Sequence, residues 1–282
     1  IGPSSDVVTV KVSKAYYSNS PGAYYTSLSE AIANTNSGGG IQLLYNMDNQ
    51  SATFDRNITF NLSGNTLGGN TMLTINSGVS VAINGSGTMT TSGTHVVRNS
   101  GYLTIQNVGN ITGSRNGAAV YNQGQMTIDN STITGVSYYA VQTGTTDNKV
   151  GLTWITNSNL KSTGHHTLRN YSTQTWPTTS TSGYQHHCTE SCAVHVTGSG
   201  YIKQEDSSNS EFYAVMNEYG HIHFPKTYTG TIYNKKYYVL RSASRGKITV
   251  NGGTVSADTK NLYSKADGGT ITFGGNSKKV TH

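Results

Sequence analysis

Apolar and polar residues alternate in short runs along most of this chain. The phrase glycine, any residue, large aliphatic, any residue, large apolar recurs as Gly101-Tyr102-Leu103-Thr104-Ile105, Gly124-Gln125-Met126-Thr127-Ile128, Gly246-Lys247-Ile248-Thr249-Val250 and Gly269-Thr270-Ile271-Thr272-Phe273. Gly220 to Phe224 is a fifth copy, Gly200-Tyr201-Ile202 opens a degenerate one, and Gly151 to Ile155 is a looser version containing Trp154. Period-two alternation marks a strand buried on one face, so Leu103 and Ile105 point inward while Tyr102 and Thr104 point out. A second phrase precedes the first by a few residues: Val96-Val97-Arg98-Asn99, Ala119-Val120-Tyr121-Asn122, Ala140-Val141-Gln142, Ala193-Val194-His195, Ala214-Val215-Met216-Asn217 and Val239-Leu240-Arg241. A third follows it, centred on Ile111, Ile133, Leu160 and Val255. Three short strands per repeat predict a three-sided coil.

The inward residues Phe60, Ile83, Ile105 and Ile128 are 23, 22 and 23 residues apart, which sets the coil length. Sequences with such a period stack their repeats into one continuous core. The expected fold class is therefore all-β, a single right-handed parallel β-helix of about a dozen coils, each of about 22–25 residues. Stacked asparagines at the corners can bond the coil above and below and tolerate a left-handed backbone. Asn107, Asn130 and Asn157 form one expected ladder; Asn99, Asn122, Asn170 and Asn217 form another. An open terminal coil would expose core and strand edges. Ser27-Leu28-Ser29-Glu30 has capping-box spacing ahead of Ala31, Ile32 and Ala33, which predicts a short N-terminal capping helix. Lys278 and Lys279 are expected to blunt the far edge. The organisation is an N-terminal segment and helix over 1–40, then the β-helix over 41–282 with a loop insertion around 165–192.

Composition adds to this picture. Of 282 residues, 34% are hydrophobic and 11% charged, with 33 Gly. A disordered chain would be poor in aromatic and β-branched residues, whereas 19 Tyr and regularly placed Ile, Val and Thr favour sheet. The formal charge of +6 is spread without a basic run, which argues against nucleic acid and for mild attraction to anionic surfaces. No apolar run approaches the roughly 20 residues a spanning helix needs, so no membrane insertion is expected in this fragment. The chain opens at Ile1 and reads as a mature or excised piece.

The segment Tyr25-Thr26-Ser27-Leu28-Ser29-Glu30-Ala31-Ile32, the Gly-rich turn, Ile41-Gln42-Leu43-Leu44 and Ile58-Thr59-Phe60-Asn61-Leu62-Ser63-Gly64 together resemble the opening of β-helix modules in large surface proteins of Gram-positive bacteria. The resemblance covers residues 20 to 135; beyond them only the generic coil phrase continues it. It implies a fold of the pectate-lyase-like superfamily and an extracellular setting. Such modules serve adhesion, spacing and sometimes carbohydrate cleavage, so the role must be argued from the site.

Carbohydrate cleavage calls for paired carboxylates, or for carboxylates holding Ca²⁺ beside a basic residue. Outward acids do not recur on adjacent coils: the position matching Asp129 one coil earlier is Gln106, and Gly220-His221 lacks partner acids. No catalytic residue is assigned. His165 to His195 departs most from the repeat and is expected to project as a loop, where binding residues collect on a rigid scaffold. Tyr171, Trp176 and Tyr184 lie in it, and either stack on a sugar or anchor a protein partner, or in the case of Trp176 pack on the coil wall. Cys188 and Cys192 admit a local disulfide, a structural metal held with His186, His187 or His195, or free thiols, and the spacing favours the disulfide. His221 and His223 flank inward Ile222 and are expected to share an outer face with Tyr201 and Lys203 of the preceding coil, either as a stacked surface that binds an acidic glycan or a protein or as a solvated strand face. Outward Thr104, Thr127, Thr249 and Thr272 also suggest a flat array like that of ice-binding solenoids.

The expected function is an extracellular, adhesin-like binding module for a host glycoprotein or glycan, with no cofactor beyond that possible metal. A polysaccharide lyase or hydrolase on the same scaffold, and a passive spacer, are the competing readings.

Overall fold

The computed structural model describes residues 14–208, 210–259 and 261–282, so the first thirteen residues of the N-terminal segment lie outside the described residues. The chain is an all-β solenoid with three long sheets, of 12, 10 and 9 strands, in which each strand but the first two of the 12 pairs with its counterpart one coil away. Sheet 1 contains the recurring glycine phrase and runs from Gly39–Leu43 to Thr270–Phe273. Sheet 2 runs from Met47–Asp48 to Lys278–Thr281, and sheet 3 from Ser51–Phe54 to Tyr263–Lys265. Pairing between coils is parallel. About ten coils are present among the described residues, fewer than the dozen expected, because the coils begin only at Gly39 and residues 171–193 form none.

The core is a stack of like on like. Phe60, Ile83, Ile105, Ile128, Ile155 and Val196 are partners in register down sheet 1, and all are buried. Ile111, Ile133, Leu160, Ile202, Ile232 and Val255 make the matching column in sheet 2. The phrase glycine is required by contact with the neighbouring coil. A Cβ on Gly124 would sit 2.0 Å from the Gly101 carbonyl oxygen, and one on Gly101 2.3 Å from that of Val79.

Both asparagine ladders form in part, on opposite sides of the wall: Asn130 bonds Asn107 but not Asn157, and the inner ladder is two bonded pairs. Asn107, Asn130 and Asn157 take positive φ of 56°, 43° and 47° at an outer corner, where the Asn130 amide donates to Asn107 Oδ1 at 2.7 Å. Asn99, Asn122, Asn170 and Asn217 are fully buried at the corner joining sheet 3 to sheet 1. Asn99 Nδ2 donates to Asn122 Oδ1 at 2.8 Å and Asn170 Nδ2 to Asn217 Oδ1 at 2.9 Å. Thr143 takes the same register position between Asn122 and Asn170, and its hydroxyl bonds that of Thr153 at 2.7 Å.

The capping helix α1, Leu28–Asn34, buries Leu28, Ala31 and Ile32. Ser27 Oγ accepts from the Glu30 N–H at 3.2 Å, while the Glu30 carboxylate reaches back to the Thr26 N–H at 3.1 Å. Strands Tyr16–Ser18 and Ala23–Tyr25 add antiparallel to the start of sheet 1. At the far end Lys278 and Lys279 lie on the last strand of sheet 2, with Lys279 Nζ 4.1 Å above the Phe273 ring. No helix among the described residues is long and apolar enough to cross a membrane.

Two phrases belong to other sheets than their spelling suggests. Val194–Thr197 is the sheet 1 strand of its coil, paired with Leu152–Thr156, and Tyr201–Gln204 is a sheet 2 strand paired with Asn159–Ser162. The insertion accordingly runs over residues 171–193, between Leu168–Asn170 of sheet 3 and Val194–Thr197 of sheet 1. His165 and His166 lie before it, within a regular coil.

Candidate functional site

The insertion does not project. It folds down over the outer face of sheet 1, where register lines up Thr104, Thr127, Trp154, His195, His223, Thr249 and Thr272 in one outward column. Gln125 pins the insertion with both ends of its amide, donating to Gly183 O at 2.6 Å and accepting from Gln185 N at 3.0 Å. His186 stacks on Trp154 at 4.5 Å between centroids, and its Nε2 lies 2.8 Å from Thr127 Oγ1. The insertion is closed on itself by Trp176 N–H to Cys192 O at 2.8 Å and Cys188 N–H to Pro177 O at 2.9 Å. Thr127 and Thr249 are buried, so the threonine column is no open flat array.

Trp176 is 0% exposed, packed with Leu152, Cys188, Cys192 and Trp154, and its indole N–H points to Thr153 O. It is therefore a packing residue and not a surface contact, because the apolar outward residues Leu152 and Trp154 supply the platform that buries it. Tyr184 is 44% exposed. Tyr171 faces sheet 3, where the Arg169 guanidinium lies 4.5 Å from its ring, so it does not join Tyr184. Tyr201 and Lys203 pair with each other on sheet 2, Lys203 Nζ being 4.4 Å above the Tyr201 ring. They do not share a face with His221 and His223 of sheet 1. Nor are those two histidines solvated: both are buried beneath the insertion.

Burial controls the chemistry of this imidazole group. His195 is pushed down to about 3, by burial first and then by His223, His186 and His221. His221 is held down to about 4, again chiefly by burial, although its ring bonds the Ser191 carbonyl at 2.8 Å and the Thr249 hydroxyl at 3.0 Å. Burial also lowers His223, against the opposing pull of Glu190. The Glu190 carboxylate lies 3.7 Å from His223 Nε2, 4.0 Å from His221 Nε2 and 3.6 Å from Lys247 Nζ. Glu190 carries no signal in sequence, since it becomes adjacent to the histidines only when the insertion folds back.

Of the five candidate metal ligands, three converge. Cys188 Sγ, Cys192 Sγ and a His195 ring nitrogen lie within 4.8 Å of one another, all buried. The sulfurs are unbonded and 2.9 Å apart, and Cys192 Sγ is 3.7 Å from His195 Nδ1. The hydrogen bond with Cys192 holds the Cys188 thiol below its ordinary range, while the same bond and burial push Cys192 up. His186 is excluded by its engagement with Thr127 and Trp154, and His187 is exposed at the rim. A cleft of about 370 Å³ opens beside the cluster, lined by His187, Cys188, Glu190, His195, His223 and Asn251 among others.

On the other side of the insertion lies a trough of about 350 Å³. Gly78, Gly101 and Gly124 form its floor along the sheet 3 to sheet 1 corner, Ser77, Ser100, Tyr102, Gln123, Gln125 and Leu152 line it, and Gln174, Thr175 and Tyr184 close one end. Gly101 and Gly124, which let the coils stack, also leave this corner without side chains. No charged residue lines it. Tyr102 and Gln125 hold the same outward position of the recurring phrase and are in register, a juxtaposition visible in the spacing alone.

No family of known proteins matches the chain, and no curated protein or solved structure matches it.

Proposed function

We propose that this chain is a binding module for an uncharged glycan, carried on a cell surface or secreted, in the manner of the adhesin-like β-helix modules that residues 20 to 135 resemble. The observation that carries the reading is the trough ending at Tyr184. It spans four successive coils, about 14 Å at the spacing of neighbouring strands, and is lined by amides, hydroxyls and two tyrosines with no charge. Amide side chains both donate and accept, which suits sugar hydroxyls, and tyrosine offers a flat apolar ring with a polar tip. Two-carboxylate cleavage needs acids that the trough lacks, so the reading is recognition and not hydrolysis. The partner is a neutral oligosaccharide, free or on a host glycoprotein.

The test is a glycan array on the full chain, followed by calorimetry on the best neutral ligand. Tyr102→Ala and Tyr184→Ala are each expected to weaken binding by about 2- to 12-fold, the worth of one aromatic stack. Full-strength binding in both variants, or a preference for uronate or sulfated glycans, overturns the proposal. A chain that binds no glycan at all is the passive spacer.

A further inference from the structure

We infer that Cys188, Cys192 and His195 form a three-ligand site for a thiophilic d¹⁰ metal ion such as Zn²⁺, with its fourth position open to the cleft beside Glu190 and His223. The inference is independent of the glycan reading, which concerns the opposite side of the insertion.

The donor set is the first argument. Two thiolates and an imidazole suit Zn²⁺ or Cu⁺ and suit hard cations poorly. The second is geometry. Zn–S bonds of about 2.3 Å and Zn–N bonds of about 2.0–2.1 Å at tetrahedral angles put sulfur and nitrogen about 3.6 Å apart. Cys192 Sγ and His195 Nδ1 are already 3.7 Å apart. The sulfurs, at 2.9 Å, must part by about 0.9 Å to reach the separation of two thiolates on one zinc, and all three donor atoms already lie within 4.8 Å of one another. The third is the surroundings. His223 is 1% exposed, its ring centroid lies 5.2 Å from that of His195, and its Nδ1 has no hydrogen-bond partner. A buried nitrogen without a partner costs free energy comparable to a lost hydrogen bond, and a group bound at the open position would supply one. The fourth is placement. Cys188 and Cys192 belong to the insertion and His195 to sheet 1, so a shared ion would rivet the insertion to the scaffold. Metal bound only by the folded arrangement stabilises it.

The test uses the reduced full chain. Zn²⁺ is titrated against a chromophoric chelator, and Co²⁺ serves as the spectroscopic probe. One equivalent is expected to bind, with a thiolate-to-Co²⁺ charge-transfer band and tetrahedral ligand-field intensity. Cys188→Ser and His195→Gln abolish tight binding. Added imidazole shifts the ligand-field bands of the wild-type protein, because the fourth position is open. Zn²⁺ also slows proteolysis within 171–193 in the wild-type chain, a readout that needs no variant to fold. The inference is overturned by absence of the Co²⁺ charge-transfer band, by its survival in His195→Gln, by bands indifferent to imidazole, or by formation of a Cys188–Cys192 disulfide in preference to metal binding when the reduced chain meets one equivalent of Zn²⁺.

Discussion

Asn122→Ala removes one side chain from the buried ladder, and the structure allows its cost to be worked out. Asn122 Oδ1 accepts from the Gly124 N–H at 3.0 Å and from Asn99 Nδ2 at 2.8 Å; its Nδ2 donates to Leu152 O at 2.9 Å and to Thr153 Oγ1 at 3.0 Å. Three of the four partners keep other bonds after truncation. Asn99 Nδ2 still reaches Gln125 O at 3.0 Å, the Thr153 hydroxyl still meets that of Thr143, and the Leu152 carbonyl stays in the sheet 1 ladder opposite Gln125 and Met126. The Gly124 N–H loses the partner that Asn122 provided. At about 1–3 kcal/mol for an unsatisfied buried group, that is the loss expected. In a solenoid each coil rests on its neighbours, so the loss concentrates in the coils joining residues 97–156. Asn130→Gly is the control. It gives up a single exposed bond to Asn107, and glycine accepts the φ of 43° without strain, so the change should stay within about 1 kcal/mol. Denaturant unfolding with residue-resolved amide exchange measures both. If Asn122→Ala costs no more than Asn130→Gly, the inner ladder is not a structural element and the reasoning fails.

Two further outcomes follow from the same geometry. Acid should destabilise the fold through His165 and His166, whose Nδ1 atoms accept the N–H groups of His166 and Tyr213 at 2.9 Å each and so must stay unprotonated. Burial, and next the Arg169 charge, hold His165 down to about 4; burial, then His165 and Arg169, hold His166 well below its ordinary value. Between about 6.5 and 4 the unfolded chain binds more protons than the folded one, so this stability is present above about 6.5 and is lost as pH falls. A His165→Gln/His166→Gln double variant should flatten part of that slope in denaturation midpoints taken across the window, and an unchanged slope would exclude these residues. Trp176→Ala should cost about 3–5 kcal/mol of burial and cavity energy, expressed as release of the insertion. Limited proteolysis should then cut within 171–193 while the circular dichroism of the coils persists; resistance equal to wild type would mean that Trp176 does not hold the insertion down.

Much of the solenoid was legible because its determinants are local and repeated. The spacing of Phe60, Ile83, Ile105 and Ile128 marks the column that register later confirms, and the Ser27–Glu30 pattern marks the cap. Assignment of strands to sheets after residue 165 was not legible. All three sides of a coil use the same alternation, so Gly200-Tyr201-Ile202 is spelled like a sheet 1 strand although it pairs with Asn159–Ser162 in sheet 2. That slip carried Tyr201 and Lys203 to the wrong face and left Val194 and His195 on another. Spelling identifies a strand; only the partner coil identifies its side.

The cover over sheet 1 was hidden for a different reason, since its contacts join residues far apart in the chain, such as Gln125 with Gln185 and His221 with Ser191. One local trace of it exists all the same. Along the outward column the coils carry Thr104 and Thr127, then Trp154, His195 and His223, then Thr249 and Thr272. A water-facing β wall has no need of large rings on three consecutive coils, and leaving them exposed would forgo the free energy of burying an aromatic surface. Rings confined to one stretch of an otherwise threonine column therefore mark where something must lie, and the irregular segment 171–193 is the neighbouring chain long enough to lie there. The two clefts follow from that single act of covering, because each is the gap left along one margin of the insertion.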